Sequence, residues 1–490
     1  MKKLLNNSIF YIMSIIFLIL FIFILKSGIN NSYIYQNIYK MYFVMIVVSI
    51  ILIATILNLF RLKFVENKIL YYVFITVILI INIFFAIKYS KIIVPVSDFL
   101  SAYQKAISFN IDKGYDVYYP WWTNYSLLLK GLFSVFGKSL NVVYICNIIL
   151  SFLSSLLIFK ILTKHFQINK TLSYIITLIF VLYPSRLMFL PFVFPDFIAE
   201  LGFILASYFF FNNIDKIKNE EKSYYLPLLI AFIIAFTSLI KPVQEIFFVL
   251  FFIILFVLLL DNFKKYYKNI IVFFSIFLVS SIVFTTGFNL FYTKITHIKL
   301  NKKLIISNKL FVGLNSVGKG YWNPYNSEYV HSLESKYNYD ANKIANKLTE
   351  TLIKDIKKHK KDLKNLLIDK LKVGFGNDYS GLEWVSLSKK DQTNQDKKYN
   401  SKISKTNLYY YIVLAFSLIS IYGLIKTKNI KQLYFVIFII GFVFVILIGE
   451  SQSRYKLSFL FNFIILAGLA INYIYQYDLI SRIKKFIGEN

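Results

Sequence analysis

Apolar residues occur in long uninterrupted runs from one end of this 490-residue chain to the other. Twelve of these runs approach the roughly 20 residues that a helix needs to cross a bilayer. The pattern therefore predicts an all-α polytopic membrane protein with about twelve transmembrane helices. The predicted spans are residues 9–25, 41–60, 69–87, 140–159, 171–190, 192–211, 225–240, 243–260, 270–290, 408–425, 430–448 and 457–475.

Basic residues are distributed unevenly over the connections between these spans. With the N-terminus inside, the inner segments carry 20 Lys and Arg residues and the short outer connections carry 5. Cytoplasmic connections of membrane proteins have this excess. We therefore predict a multi-pass plasma-membrane protein with both termini cytoplasmic. The topology depends on a turn at Lys241-Pro242, because without it every later span would be reversed.

Two long segments, residues 88–139 and 291–407, face outward in this topology. The second contains 23 Lys and 11 Asp or Glu residues, and we predict a small, mainly α extracytoplasmic domain there. Its clearest helix follows Asp340, a predicted N-cap. The predicted regions are 1–68 with two spans, 69–290 as a transmembrane module that includes the loop 88–139, 291–407 as the exported domain, and 408–490 with three spans and a cytoplasmic tail.

The composition fits this class and excludes several others. Hydrophobic residues make up 57% of the chain and charged residues 16%, against about 25% charged in soluble proteins. A soluble enzyme and a disordered chain are excluded on this basis. The net charge of +30 would favour nucleic acid as a partner in a soluble protein, but here 20 of the 55 cations anchor the inner face and 23 lie in residues 291–407. We therefore predict no nucleic-acid partner.

Asp98 is the first candidate for chemistry. It opens a stretch in which Phe99, Ala102, Tyr103 and Ala106 share one face of an amphipathic helix, as expected at a membrane interface. An Asp at this position is well suited to cap the helix. A catalytic base at the same position needs only hydrogen-bond reach to its proton and a suitable pKa. Both interpretations remain open from the residues alone.

Asp196 and Glu200 form a second acidic group at the outer end of the sixth span. Residues four apart share a helix face, and two like charges there need a cation or a shared proton. One hypothesis is a divalent cation (Mg²⁺ or Mn²⁺) held by Asp196 together with Asp98. The alternative is ion pairing of the acidic group with Arg186 or Lys241.

Arg186, Lys241 and Arg454 all map to outer ends of spans, although the chain has only four Arg residues. A guanidinium offers phosphate a fixed fork of donors, so these cations predict a site for a phosphate-bearing lipid. The alternative is that they extend toward lipid headgroups. Glu450 lies close enough in sequence to neutralise Arg454.

An aromatic cluster surrounds Pro120 and includes Trp122. Aromatic belts at the membrane interface account for most such clusters. Sugars also stack on aromatic faces, so Trp122 is a candidate substrate contact, together with Tyr103 on the amphipathic stretch.

These motifs, taken in order, resemble a known superfamily. The order is Pro95-Val96-Ser97-Asp98-Phe99, then Tyr119-Pro120 before a long helix, Tyr183-Pro184-Ser185, Asp196, Lys241-Pro242, and Glu450 to Arg454-Tyr455 before the last span. This arrangement is similar to GT-C glycosyltransferases, particularly bacterial enzymes of the protein O-mannosyltransferase-like family 39. The resemblance covers roughly residues 69–290 and 400–475. The chain departs from the family pattern in having Asp196 where Glu is usual and Lys241 where Arg is usual.

The resemblance implies a GT-C-like bundle that transfers a hexose or pentose, with inversion, from a polyprenyl-phosphate donor to an extracytoplasmic glycan, lipid or protein. It implies that Asp98 is the general base, that Asp196 belongs to a second acidic position that binds a divalent metal in some relatives, and that Lys241 and Arg454 hold the lipid phosphate. Two alternatives remain open. One is a transporter or flippase, and the other is a polysaccharide polymerase or ligase that acts on lipid-linked glycans.

Overall fold

The computed structural model describes residues 2–31, 68–112, 114–321, 323–390 and 399–476. These residues form nineteen α-helices and no β-strand, which confirms the predicted all-α class. The helices are α1 Lys2–Asn31, α2 Lys68–Ser90, α3 Ser97–Ser108, α4 Pro120–Phe136, α5 Leu140–Lys160, α6 Lys170–Val181, α7 Pro184–Phe189, α8 Asp196–Lys218, α9 Tyr225–Ile240, α10 Gln244–Asp261, α11 Phe263–Thr296, α12 Lys302–Leu314, α13 Pro324–Lys336, α14 Ala341–Lys358, α15 Leu363–Phe375, α16 Ser380–Leu387, α17 Tyr399–Thr427, α18 Ile430–Ile448 and α19 Leu460–Gln476.

Nine helical stretches within the described ranges are long and apolar enough to cross a membrane. Two shorter apolar helices, α6 and α9, accompany them. These eleven helical stretches correspond to eleven of the twelve predicted spans, and the remaining one, residues 41–60, lies outside the described residues. Helices α2 and α11 leave large apolar side chains exposed, for example Ile80 and Ile282. Such an apolar surface is expected where helices face lipid.

The predicted span 171–190 is not one continuous helix. Helix α6 ends at Val181, and α7 begins at Pro184 after a short turn. Proline has no amide hydrogen and disfavours helical geometry in the preceding residue, so the helix is interrupted before Pro184. The following span begins at Asp196 rather than at residue 192, directly after Pro195.

Aliphatic and aromatic side chains from both halves of the chain fill the centre of the bundle. Phe203 of α8 contacts Phe247 of α10 and Phe438 of α18. The last helix, α19, packs against α17, with Ser417 donating a hydrogen bond to the carbonyl of Phe463. The C-terminal helices are therefore part of the same core as the preceding ones, and they bring residues 449–459 to one end of the bundle.

The predicted amphipathic helix of the loop 88–139 is present as α3. Phe99, Ala102 and Ala106 are buried on one face, where they pack against α4. Helix α4 starts at Pro120, whose missing amide hydrogen costs nothing at the first helical position. The loop places the start of α3 and the start of α4 at the same end of the bundle.

Residues 291–407 are helical throughout most of their described length. Asp340 caps α14 as predicted, because its carboxylate accepts the backbone amides of Asn342 and Lys343. Ile344, Leu348 and Leu352 of this helix form a small core with residues of α12 and α13. That core includes Tyr118 from the loop before α4, so this segment packs directly against the loop.

Candidate active site

Two neighbouring cavities lie where the loop 88–139, the segment 291–407 and residues 449–455 meet. The large cavity, about 810 Å³, is lined by Asp98, Glu383 and Trp384 among others. The small cavity, about 150 Å³, is lined by charged residues and by apolar residues at the ends of α9 and α18. Seven residues line both cavities: Tyr119, Trp121, Trp122, Val312, Glu450, Arg454 and Tyr455.

Arg454 is the cation at this junction, and it contacts Asp98 directly. Its Nη2 donates a hydrogen bond to Asp98 Oδ2 at 3.0 Å, although the two residues are 356 positions apart in sequence. The guanidinium is buried and lies 4.8 Å from the ring centroid of Trp384. Its Nη1 has no hydrogen-bond partner in the described part of the chain. One arm of Arg454 therefore holds Asp98, and the other arm is an unused donor.

Asp98 does not cap α3. The N-cap position is Val96, without a side-chain hydrogen bond, and Asp98 lies inside the first turn. The preceding residue, Ser97, has a φ of 52°, an uncommon backbone conformation for a residue other than glycine. The Asp98 carboxylate, which is 28% exposed, turns toward the large cavity instead of toward the helix amides. The capping interpretation is therefore wrong for this side chain.

A buried polar network fixes the loop that carries Asp98. The Tyr115 hydroxyl donates to Asp98 Oδ1 at 3.1 Å, and burial together with Asp98 raises the pKa of Tyr115 well above its ordinary value, so it remains a donor. Tyr115 is followed by Asp116, which is fully buried and forms an ion pair with Lys105. Asp116 also accepts the Thr123 hydroxyl at 2.8 Å. These contacts join α3 to the start of α4.

Lys241 and Asp196 form an ion pair at the small cavity. Lys241 Nζ lies 2.6 Å from Asp196 Oδ1 and 4.9 Å from the ring centroid of Tyr455. The alternative prediction for Asp196, pairing with a nearby cation, is therefore what the structure shows. Both residues line the cavity whose walls include the apolar side chains Phe442, Val445 and Ile446 of α18.

Arg186 and Glu200 are not at either cavity. Arg186 is fully buried and grips Glu200 with both Nε and Nη2, at distances of 2.7 to 3.2 Å. Its guanidinium also lies 4.0 Å from the ring centroid of Phe180. Glu200 occupies Nε and Nη2, and Nη1 has no hydrogen-bond partner in the described residues. The prediction that Arg186 binds phosphate thus has no support in its placement, because Arg186 lines neither cavity. This pair connects α7 to α8.

The two predicted aromatic contacts differ in their placement. Trp122 lines both cavities, as expected for a substrate contact. Tyr103 lines neither of these two cavities and packs edge-on against Phe133 of α4, with ring centroids 5.8 Å apart. Tyr103 therefore belongs to the contact between α3 and α4.

Glu450 does not neutralise Arg454 by direct pairing. It accepts hydrogen bonds from the Tyr455 hydroxyl at 2.8 Å and from Gln452 Nε2 at 2.5 Å. These bonds stabilise the turn from Glu450 to Tyr455, and the Tyr455 ring in turn contacts Lys241. Glu450 thus stabilises the turn of residues 450–455, which borders both cavities.

A buried lysine, Lys370, anchors this turn to the segment 291–407. Its ammonium donates to the carbonyls of Gly313 at 2.7 Å and Gly449 at 2.5 Å, and burial lowers its pKa to about 7. Cations are favourable at helix C-termini, and here α12 and α18 both end at this lysine. Gly313 is required for the contact, because a Cβ atom there would lie 2.4 Å from the carbonyl oxygen of Gly449.

Two charged residues that the sequence patterns did not single out also face the cavities. Glu383 lines the large cavity; burial raises its pKa, and Arg454 partly offsets that effect. Lys309 of α12 lines the small cavity, with its Nζ 4.3 Å from the ring centroid of Trp121. Both come from the segment 291–407, which is so rich in Lys that no single charge is conspicuous in the sequence.

The described residues form no preassembled binding site for the predicted divalent cation. No group of three or more His, Cys, Asp or Glu side chains converges there. Asp98 and Asp196 line different cavities, and each is already paired with a cation. The metal thus remains a prediction, which the dependence of activity on Mg²⁺ or Mn²⁺ after chelation would test.

Comparison with known families supports the resemblance drawn from the motifs. Residues 124–286 match the family model described as dolichyl-phosphate-mannose-protein mannosyltransferase. The match includes Asp196 and Lys241 but not Asp98 or Arg454. It supports a membrane glycosyltransferase of the GT-C type and is consistent with a family 39 relationship. A search of curated proteins gives no match to the chain.

Proposed function

We propose that this membrane glycosyltransferase of the GT-C type moves a hexose or pentose from a polyprenyl-phosphate donor to an acceptor hydroxyl on the extracytoplasmic side of the plasma membrane. The observation that carries the proposal is the position of Arg454 between the two cavities, with one arm on Asp98 and one arm unpaired. A residue so placed can bind the leaving phosphate and orient the base at the same time.

The small cavity suits the lipid-linked phosphate. Its apolar walls come from the ends of α9 and α18, and its cations are Lys241, Lys309 and Arg454. Fixed cations stabilise the charge that develops on a departing phosphate better than water does. The lipid tail would lie along the apolar helix surfaces that border this cavity.

The large cavity suits the acceptor. Asp98 lies there beside Trp384 and Glu383, so an acceptor hydroxyl has both a base and polar contacts within the same space. Asp98 would take the hydroxyl proton as the acceptor oxygen forms a bond to the anomeric carbon. The bond between that carbon and the phosphate oxygen breaks in the same step, and polyprenyl phosphate leaves. Attack opposite the leaving group inverts the anomeric centre.

Asp98→Asn tests this assignment. It keeps the shape of the side chain and removes the base, so we expect transfer in membranes to fall by about 10²–10⁴-fold. The assay would follow a radiolabelled sugar from the polyprenyl-phosphate donor into acceptor material. Asp369→Asn is a matched control, because Asp369 is exposed on α15 and lines neither cavity. Near-normal activity of Asp98→Asn would show that Asp98 is not the base.

The two alternative functions predict different products. A transporter or flippase would move lipid-linked sugar across vesicles without cleaving it. A polymerase or ligase would build products from lipid-linked glycan chains and not from a single lipid-linked sugar. Analysis of the sugar and lipid products in the same membranes separates these outcomes from the proposed transfer.

A further inference from the structure

Lys309 is the cation of the small cavity that forms no direct ion pair with a carboxylate of the described residues. Lys241 is paired with Asp196 at 2.6 Å, and Arg454 is paired with Asp98 at 3.0 Å. Within the described part of the chain, no carboxylate lies within 4 Å of Lys309 Nζ and no hydrogen bond to it is formed. Its contact is with the face of the Trp121 ring, at 4.3 Å from the centroid.

The absence of an ion pair at Lys309 within the described residues, in contrast to Lys241 and Arg454, affects how each cation can bind an anion. A phosphate that approaches Lys241 or Arg454 must share the cation with a carboxylate that already holds it. A phosphate that approaches Lys309 meets an ammonium whose hydrogen atoms are not used by a protein acceptor. Hydrogen bonds that involve charged groups are about twice as strong as neutral ones. Lys309 can form them with all of its N–H donors, whereas Lys241 and Arg454 already use donors on carboxylates, so Lys309 is the better anchor.

We propose that Lys309, contributed by the segment 291–407, binds the phosphate of the lipid-linked donor directly and that donor binding requires Lys309 to be protonated. The inference rests on the proposed function, because it assumes that the small cavity receives a phosphate monoester or diester carried by a lipid. It assigns to the segment 291–407 a part in donor binding, which the sequence did not indicate.

The charged surroundings of Lys309 make its protonation sensitive to the ligand. The pKa of Lys309 is lowered to about 8, mainly by burial in the cavity wall; Lys241 acts in the same direction, and Glu245 and Glu450 partly offset these effects. Asp196 and Arg454 line the same cavity and neutralise their own partners. A bound phosphate favours the charged form, so it raises the pKa and donor binding takes up a proton.

The sign of the pH dependence follows from this linkage. Below a pH of about 8 the free enzyme already carries the ammonium, and donor affinity is at its maximum. As the pH rises above about 8, an increasing fraction of the enzyme must first gain a proton, so the apparent donor affinity falls by up to tenfold per pH unit. The fall stops where binding without the charge, about tenfold weaker or more, takes over.

The experiment measures donor KM between pH 6.5 and 9.5 on the full-length protein in lipid nanodiscs. The wild type should show a KM that rises above a pH of about 8. Lys309→Arg should keep a low KM throughout, because a guanidinium stays charged. Lys309→Gln should have a KM raised about tenfold or more at pH 7 and a flat profile. Lys302→Gln, an exposed position on the same helix, is the matched control and should behave like the wild type.

A binding measurement separates failure of this inference from failure of the proposed function. The probe is a short-chain polyprenyl phosphate, with the uncharged polyprenol as reference, detected by native mass spectrometry. Loss of phosphate-dependent binding in Lys309→Gln, with retention in Lys309→Arg, supports the assignment. Unchanged binding and an unchanged KM profile in Lys309→Gln overturn it while leaving the proposed function intact. A wild-type protein that neither transfers sugar nor prefers the phosphate overturns the proposed function itself.

Discussion

Arg454 offers the sharpest test of the site, because the proposed function gives its two arms separate roles. Nη2 donates to Asp98 at 3.0 Å, and Nη1 is buried without a partner in the described residues. Lysine in its place retains the charge but has a single ammonium and no planar fork. It cannot hold the Asp98 carboxylate and a phosphate oxygen in the same geometry.

The expected loss of activity in Arg454→Lys follows from the number of hydrogen bonds that the substitution removes. Arg454→Lys removes one hydrogen bond between charged groups, which is worth about 1.5–3 kcal/mol. That corresponds to a decrease of about tenfold to a hundredfold in kcat/KM for the donor. If the Nη1 arm binds phosphate, the donor KM rises. If the Nη2 arm orients Asp98, kcat falls as well.

A double-mutant cycle separates the two arms. The assay compares sugar transfer by the wild type, Arg454→Lys, Asp98→Asn and the double variant in the same membranes. With Asp98 already neutral, the orienting role of Arg454 is absent, so Arg454→Lys should cost less in this background than in the wild type. Interaction energies between residues in contact are commonly 0.5–3 kcal/mol. Equal losses in both backgrounds would refute the idea that the ion pair serves catalysis.

Two further predictions concern residues that act through structure. Glu200→Gln leaves the buried Arg186 without its anion, so we expect a loss of stability of about 3–5 kcal/mol and a lower melting temperature in detergent, with donor KM unchanged in the folded protein. A raised KM at unchanged stability would instead place Arg186 in the binding site. Gly313→Ala forces apart Gly313 and Gly449, so transfer should fall sharply, whereas Gly287→Ala, with open space around it, should retain activity. Normal transfer by Gly313→Ala would show that the turn after Gly449 tolerates displacement.

The spans were predictable because their signal is local. A run of about 20 apolar residues indicates a membrane helix wherever it occurs, and eleven of the twelve predicted runs coincide with helices in the described residues, one of them broken before Pro184. The break at Pro184 was missed because the apolar run continues across it, although proline geometry stops the helix. The cap at Asp340 and the start of α4 at Pro120 follow from neighbouring residues alone.

The site was only partly predictable because its contacts are long-range. The predicted topology mapped Asp98, Lys241 and Arg454 to one end of the bundle, and the structure places them at two adjoining cavities. Neighbouring residues in the sequence do not indicate which carboxylate pairs with each cation. In the structure Arg186 pairs with Glu200, and Lys241 pairs with Asp196. Lys309 and Glu383 become visible only when the segment 291–407 is folded against the loop that carries Asp98.

The position of that segment explains why the two substrates should be coupled. The spans contribute Lys241 and the apolar walls of the small cavity, whereas the segment 291–407 contributes Lys309 to the small cavity and Glu383 and Trp384 to the large one. Lys370 and Gly313 bind the segment to the chain just before Glu450, so it cannot shift without moving the turn that leads to Arg454. Arg454 lines both cavities and pairs with Asp98. In the proposed function, a displacement that impairs donor binding would therefore also move the group that holds Asp98. Variants at the contact between Lys370 and Gly449 should therefore change the KM for both substrates together, whereas variants in the wall of one cavity should change mainly one.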